Sequence, residues 1–263
     1  MMIDLPEMKR IELEMMKEVH AFSVSNEIRY SLGYGTLLGA VRHKGFIPWD
    51  DDIDIIMPRP DYDKFIKTFN SDVYCVVSSL DTGYYYPYAK VYDKRTFLKE
   101  ELRYTYPDMG VFIDVFPVDG LPASLQSQER IYSVQKFLYK LHMSMKYHVS
   151  REWSLLKNFL VLVSRVISLF YPLKRVIKKI EKNYLLNSYD ASEDVAVLLG
   201  EIELVKIPRS SFEHLGMMAF EDSQFLVVPD VDPLLTKLYG DYMTPPPPEK
   251  QISEHRYTVG WKK

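Results

Sequence analysis

The segment from Trp49 to Met57 constrains this chain most, because four acids in five positions run directly into an apolar stretch. Successive side chains of a strand point to opposite faces, so a strand that starts at Asp52 places Asp50, Asp52 and Asp54 on one face. Carboxylates gathered this way repel one another unless a divalent cation binds between them. The segment therefore predicts a metal-binding strand, with a solvated acidic turn as the alternative.

A second acid lies inside a later apolar segment. Residues 110–117 have the pattern of a buried central strand, and Asp114 is its one carboxylate. A buried carboxylate without a partner is too costly to retain. It needs either the cation held by Asp52 and Asp54 or a salt bridge to a nearby lysine or arginine. We expect Asp52, Asp54 and Asp114 to be metal ligands, and these three with Asp50 to be the catalytic acids.

Upstream of the acids, Gly35 and Thr36 stand where a short strand turns into a helix. Bare backbone amides at a helix N-terminus attract phosphate. Thr36 could also serve only as a helix cap, and the pair alone is weak. Together with carboxylates on two later strands it predicts a nucleotidyltransferase-type site, in which a glycine turn holds phosphates opposite a metal.

The hydrophobic periodicity divides the chain into three parts. Helix and strand patterns alternate through the first 120 residues, whereas 126–148 and 152–187 are helical and the tail is mixed. The predicted fold class is α+β: a nucleotidyltransferase-like mixed β-sheet domain flanked by helices, with a mainly helical cap. The expected divisions are a catalytic domain over 1–122, a cap over 123–200, and a tail over 201–263 that packs back on the catalytic domain.

Composition excludes several classes of protein. The 33 Lys and Arg residues against 36 Asp and Glu give a net charge of −3, so nucleic acid is not an expected partner. Cys75 is the single cysteine, which excludes an internal disulfide and a cysteine-built metal site. The N-terminal residues lack a signal-peptide pattern, and we expect a cytoplasmic protein.

The segment 159–173 is strongly apolar but is interrupted by Arg165 and ends beside Pro172. It is too short to span a bilayer. Four cations follow at once, between residues 174 and 179. Two interpretations stay open: a helix buried in the cap, or a helix that lies on an anionic membrane surface at the inner face of the membrane.

The block of residues 35–54 closely resembles the signature of the LicD family. That family comprises bacterial phosphocholine transferases that act on teichoic acids and lipopolysaccharide, with fukutin-like proteins as distant relatives. The resemblance continues through 90–93 and 113–117 and returns in the tail at 238–243. The chain departs from the general nucleotidyltransferase pattern in having Thr36 after the glycine and 15 residues between Thr36 and Asp52, and both features are similar to those of LicD proteins.

The resemblance implies transfer of phosphocholine from CDP-choline to a sugar hydroxyl of a lipid-linked teichoic acid precursor or another glycan, with release of CMP. It implies Mg²⁺ or Mn²⁺ as the cofactor, held by Asp52 and Asp54. Asp114 would complete the ligand set or accept the proton of the acceptor hydroxyl, and Asp50 would hold a metal-bound water or support the other acids. Gly35 and Thr36 would contact the diphosphate.

Cationic residues complement this scheme. Lys90 lies in a strand pattern and either reaches a phosphate or is an ordinary strand-edge lysine. Arg42 either touches substrate or makes a structural ion pair with the nearby acids. His255 and Arg256 either clamp a phosphate or belong to a solvated tail.

Choline is a quaternary ammonium group and binds to aromatic faces. Trp49 and the tyrosine-rich run 84–88 are the expected suppliers, with a tyrosine-rich strand as the alternative. Two other functions remain open: a nucleotidyl or sugar-phosphate transferase of the same fold, using CDP-ribitol or ATP, and a non-catalytic binding protein. The intact acids at 52, 54 and 114 favour an enzyme.

Overall fold

The computed structural model describes residues 1–151, 153–200, 204–253 and 257–263, with only the backbone at Tyr257. Within these ranges the helices are α1 (Leu5–Ser25), α2 (Tyr34–Arg42), α3 (Arg59–Thr68), α4 (Leu125–Lys146), α5 (Leu155–Phe170), α6 (Leu173–Tyr184) and α7 (Val231–Tyr239). The strands are β1 (Ser31–Leu32), β2 (Asp54–Pro58), β3 (Tyr74–Val77), β4 (Ala89–Asp93), β5 (Thr96–Glu100), β6 (Phe112–Gly120), β7 (Asp194–Ala196), β8 (Ile207–Pro208), β9 (Gly216–Phe220), β10 (Ser223–Val227) and β11 (Tyr257–Trp261). The predicted mixed helix-and-strand fold is confirmed.

The main sheet is mixed and has β6 at its centre. Its order is β1-β2-β6-β4-β3, in which β2 runs parallel to β6 and the other neighbours are antiparallel. Every residue of β6 is buried, as its run of β-branched and aromatic side chains indicates. The far end of β6 extends the sheet through β7 and β8. This arrangement places any polar side chain of β6 deep inside the molecule.

Helix α1 covers one face of this sheet. Its N-terminus is capped by Asp4, whose carboxylate accepts a hydrogen bond of 3.0 Å from the Glu7 backbone N–H. Apolar residues at helical spacing, including Met8, Ile11 and Met15, are buried and form one core with the sheet. α1 contacts β4 and β6 directly, so its inner face reaches the strands that bear Lys90 and Asp114.

The tail returns to the sheet region at two places. Strand β11 pairs with β5, and the β9–β10 hairpin contacts α1, α2 and β1. In the hairpin turn, the Glu221 backbone N–H donates to the Lys44 carbonyl and the Glu221 carboxylate accepts from the Phe46 N–H. The tail therefore holds the loop that leads from α2 into the acidic segment. The three-part domain division stays a prediction.

The helical part of the chain has its own small core between α4 and α6, which includes Leu138, Met145, Val176 and Ile180. Helix α5 is different, because only Val161 and Ser164 of its residues are buried. The interpretation of this segment as a helix buried in the cap is wrong. No helix in the part of the chain that the structure describes is long and apolar enough to cross a bilayer.

Candidate active site

Three charged side chains stand in a row across neighbouring strands of the main sheet. Asp54 of β2 is the register partner of Asp114 on β6, and Asp114 is the register partner of Lys90 on β4. Directly opposite residues of paired strands project from the same face. The two acidic segments, 60 residues apart in the chain, are thus brought together by the pairing of β2 with β6.

Lys90 and Asp114 form a buried ion pair. The Lys90 Nζ lies 2.5 Å from Asp114 Oδ1, and both residues are almost entirely shielded from solvent. The Lys90 Nζ also lies 3.3 Å from the ring centre of Phe112. The salt bridge left open by the sequence is therefore present. The alternative of a strand-edge lysine is wrong, because β4 lies between β6 and β3.

The electrostatic surroundings of Asp54 show how the acids converge. Burial raises the pKa of Asp54 well above its usual range, and the carboxylates of Asp52, Asp114 and Asp50 raise it further, whereas Lys90 lowers it. Acids from the loop before β2 and from β6 thus act on the same carboxyl group. Such convergent negative charge is what a bound cation stabilises.

The acidic segment itself differs from the predicted strand. β2 begins at Asp54, so the alternation of faces does not extend back to Asp50. Instead, a ligand oxygen from each of Asp50, Asp51 and Asp52 lies within 4.8 Å of the others. Asp51, which the strand pattern placed on the opposite face, is buried and accepts a hydrogen bond of 2.5 Å from the Ser253 hydroxyl. The tail therefore fixes the conformation of the acidic loop.

The predicted phosphate seat at the start of α2 lies beside these acids. Thr36 is buried, and its hydroxyl oxygen accepts a hydrogen bond of 2.8 Å from the Asp54 N–H. A side chain at Gly35 would meet the Asp50 carboxylate, because an ideal Cβ there falls 2.7 Å from Asp50 Oδ2. Thr36 thus positions the backbone of the acidic strand, and Gly35 leaves room for Asp50. Their contact with a diphosphate stays a prediction.

Two other predicted residues lie at the C-terminal end of α2 and in the loop that follows it. The Arg42 Nη1 donates a hydrogen bond of 2.6 Å to the Tyr242 carbonyl in the tail, and Trp49 makes an edge-to-face contact with His43. Arg42 therefore ties α2 to the tail. His255 and Arg256 lie outside the described residues.

Among the predicted site residues that the structure describes, the acids, Gly35, Arg42, Trp49 and Lys90 line one open cavity of about 1680 Å³, and Thr36 does not. Its wall combines carboxylates, cations and aromatic rings from the sheet, the α4–α5 loop and the tail. The acids are Asp50, Asp51, Asp52, Asp54, Glu100, Glu101, Asp114 and Asp241; the cations are Arg42, Lys90, Arg151 and Lys250; the rings include Tyr34, Trp49, Tyr86, Tyr88, Phe116, Tyr139, Tyr147, Trp153, Tyr239 and Tyr242. The cavity is large enough for more than one small substrate.

Comparison with known proteins identifies the family of this chain. A family model described as LicD/FKTN/FKRP, nucleotidyltransferase domain, matches residues 27–151. The chain is 32% identical over 267 aligned residues to the lipopolysaccharide cholinephosphotransferase LicD of Haemophilus influenzae, and the alignment covers 96% of each protein. The chain belongs to the LicD family. It is accordingly an enzyme of the phosphotransferase class.

Two rickettsial relatives match shorter parts of this LicD-family chain. An uncharacterised protein of Rickettsia prowazekii is 28% identical over 131 residues, 48% of this chain and 46% of that protein. An uncharacterised protein of Rickettsia typhi is 50% identical over 52 residues, 19% of this chain and 17% of that protein. The name of neither protein states a function.

The donor set of this LicD-family site fits a hard divalent cation. Asp50, Asp51 and Asp52 bring carboxylate oxygens within reach of one ion, and Mg²⁺ and Mn²⁺ prefer such ligands. Asp54 adds a carboxyl group whose negative form is disfavoured by its acidic neighbours. The site therefore suits metal-dependent transfer.

Sequence reasoning missed Asp51, which belongs to the carboxylate cluster, and one acid next to the site. Glu12 of α1 is fully buried, and neither carboxylate oxygen has a hydrogen-bond partner among the described residues. Its pKa is raised well above the usual value by burial and by Asp52, Asp51 and Asp50. The sequence signal that could have identified Glu12 is its position next to Ile11, on the apolar face of α1. Tyr239 was also missed, and burial and Asp54 raise its pKa.

Proposed function

We propose that this LicD-family chain transfers phosphocholine from CDP-choline to a sugar hydroxyl of a lipid-linked teichoic acid precursor, releases CMP, and requires Mg²⁺ or Mn²⁺. The observation that supports it best is the row of Asp54, Asp114 and Lys90 on the wall of an aromatic-lined cavity. The full-length relationship to a cholinephosphotransferase supports the choice of phosphocholine.

In the proposed reaction the acceptor hydroxyl oxygen attacks the choline-bearing phosphorus, the bond from that phosphorus to the CMP oxygen breaks, and the hydroxyl proton passes to a carboxylate. Asp52 and Asp54 would hold the metal, with Asp50 in support. A divalent ion at this place supplies charge neutralisation for the diphosphate. Asp114 either completes the ligand set or accepts the proton.

Lys90 has a definite role in this scheme. Its ammonium group, 2.5 Å from Asp114 Oδ1, stabilises the ionised form of that carboxyl group, which is the form that can ligate a metal or accept a proton. Lys90 also lines the cavity, where its positive charge favours a phosphate. Arg42, also in the wall, is the second cation that we assign to the donor phosphates.

The choline group would bind to aromatic rings near the acids. The rings of Tyr86 and Tyr88 already face Lys90, whose Nζ lies 5.0 Å from the ring centre of Tyr86 and 5.6 Å from that of Tyr88. Trp49 adjoins Asp50 in the chain. Burial raises the pKa of Tyr239, and the nearby carboxylates of Asp54 and Asp50 raise it further. Since choline lies two carbons from the reacting phosphate, Trp49 and Tyr239 are the rings that we assign to it.

Incubation of the protein with CDP-choline, Mg²⁺ and purified teichoic acid repeats tests the proposal. Mass spectrometry should show a phosphocholine increment on the acceptor in proportion to CMP released, and Asp52→Asn should abolish both. A parallel reaction with a lipopolysaccharide saccharide identifies the acceptor class.

Three results would contradict this function. One is CMP release without modification of either acceptor. The others are transfer from CDP-ribitol or ATP in preference to CDP-choline, and full activity in the presence of a chelator.

A further inference from the structure

Helix α5 presents its apolar side to solvent. Of its sixteen residues, ten are large apolar side chains that are exposed: Leu155, Leu156, Phe159, Leu160, Leu162, Val163, Val166, Ile167, Leu169 and Phe170. At 3.6 residues per turn these ten side chains cover roughly half of the helix circumference without interruption. Phe159 and Phe170 lie near the middle of this face and are 61% and 79% exposed. We call these ten residues the apolar face.

The opposite side of α5 is the one that packs against the protein. Val161 and Ser164 are buried there, and α5 contacts α4. A surface helix of a protein surrounded by water has the reverse orientation, with its apolar side inward. An apolar face of this size on the outside of a protein marks an interaction surface.

The charge next to the apolar face indicates the partner. Helix α6 follows α5 after two residues, and Arg175, Lys178, Lys179 and Lys182 are exposed along one side of it. We call these four residues the basic face. Residues 155–184 contain seven lysines or arginines and one glutamate, in a chain whose net charge is −3. An apolar helix flanked by a cationic one complements a bilayer with anionic headgroups.

The position of α5 relative to the cavity supports the same partner. The loop before α5 lines the cavity with Tyr147 and Trp153, two residue types that favour the membrane interface. Lys157, in the first turn of α5, lies 3.7 Å from the ring centre of Trp153. A surface that holds α5 would therefore lie beside the mouth of the cavity.

We propose that α5 and α6 dock the protein on an anionic lipid bilayer, with the apolar face inserted at the level of the headgroups and the basic face on their phosphates. The apolar face would lie in the interface and would not span the bilayer, because α5 has only 16 residues and no helix among the described residues combines the length and the apolarity that a span needs. Docking would bring the cavity to a lipid-linked acceptor, a consequence that rests on the proposed function.

Flotation with lipid vesicles tests this without any substrate or metal. We expect the protein to float with phosphatidylcholine–phosphatidylglycerol vesicles and about tenfold less with phosphatidylcholine alone. Phe159→Asp with Phe170→Asp should reduce binding about tenfold or more. Leu80→Asp, at an apolar residue that is 74% exposed on another part of the surface, is the matched control and should bind like the unaltered protein.

Charge reversal at Arg175, Lys178, Lys179 and Lys182 should remove the preference for phosphatidylglycerol, whereas Lys67→Glu on α3 should not. Circular dichroism of each variant checks that the helices remain. The proposal is overturned if the folded protein does not float with anionic vesicles, or if Phe159→Asp with Phe170→Asp leaves flotation unchanged. It is also overturned if the protein is a dimer that this double substitution dissociates, since the apolar face is then a subunit interface. Vesicle binding and phosphocholine transfer are separate readouts, so either can fail alone.

Discussion

The β6 region of the sheet and helix α5 place polarity in opposite ways. The sheet region encloses charge: Asp114 and Lys90 are buried on adjacent strands, and Asp119 is buried with Arg59 at the other end of β6. Helix α5 exposes apolar side chains such as Phe170. Burying charged side chains and exposing apolar ones each make the folded state less stable than the reverse placement would. We infer from this difference that the two regions meet different surroundings, which in our proposals are a charged substrate in one case and a lipid surface in the other.

The largest effect should follow from removing one carboxylate of the sheet region. Asp54→Asn should lower the rate of CMP release at least about a thousandfold, equivalent to about 4 kcal/mol, because it removes a proposed metal ligand. The melting temperature without metal should stay equal or rise, because the variant also relieves repulsion with Asp52 and Asp114. Asp108→Asn, at an exposed acid, should change neither quantity. Loss of activity together with unfolding would mean that Asp54 acts in folding.

The ion pairs Lys90–Asp114 and Arg59–Asp119 should respond differently to substitution, because only the first is proposed to take part in catalysis. Lys90→Met should lower the free energy of unfolding by about 3–5 kcal/mol, because Asp114 is then left without its cation. Adding Asp114→Asn should recover most of that stability but no activity. Arg59→Met, which breaks the pair with Asp119, should destabilise similarly, and the addition of Asp119→Asn should restore both stability and activity. Activity in the Lys90→Met/Asp114→Asn variant would contradict the assignment of this pair to catalysis.

Acid pH should destabilise the folded protein through a buried histidine of α4. His142 of α4 is buried against Tyr85, and burial, with Lys146 nearby, lowers its pKa to about 3. The unfolded chain binds a proton on this histidine below about pH 6.5 and the folded protein does not, so this contribution to stability is complete above that pH and is lost as the pH falls towards 3.

At pH 5 the loss from His142 is about 2 kcal/mol relative to pH 7. Urea unfolding at both values should show that His142→Gln has a pH difference smaller by about this amount. His214→Gln, at an exposed histidine, should behave like the unaltered protein. An unchanged pH difference in His142→Gln would contradict the neutral buried imidazole.

The smallest effect should come from α5. Val166→Thr replaces a side chain that is 58% exposed and should change the free energy of unfolding by less than about 0.5 kcal/mol. The same change at Val115 in β6, which is fully buried, should cost about 1–3 kcal/mol, because it buries a hydroxyl. Equal costs at the two positions would mean that the apolar face of α5 is packed within the protein.

The sheet part of the site was accessible from sequence, because Asp54 and Asp114 each lie within a mostly apolar strand, and such strands are buried in the core of a sheet. The sequence patterns did not reveal the strand register that puts Lys90 opposite Asp114, because the loops between the strands help to set that register. The true start of β2 at Asp54 also escaped the strand pattern, because Ser253, 202 residues away, helps to set the conformation of Asp51. For α5, periodicity identified a helix but not which side faces water, since the apolar pattern is the same for a buried helix and an interfacial one.

In our proposal, acids from the loop before β2 and from β6 hold one divalent cation. Anomalous diffraction from crystals grown with Mn²⁺ and CDP-choline locates such an ion directly. We expect a manganese peak within bonding distance of the carboxylates of Asp52, Asp54 and Asp114 and of the donor diphosphate. A peak elsewhere in the cavity, or clear density for the donor with no manganese beside these carboxylates, would contradict it.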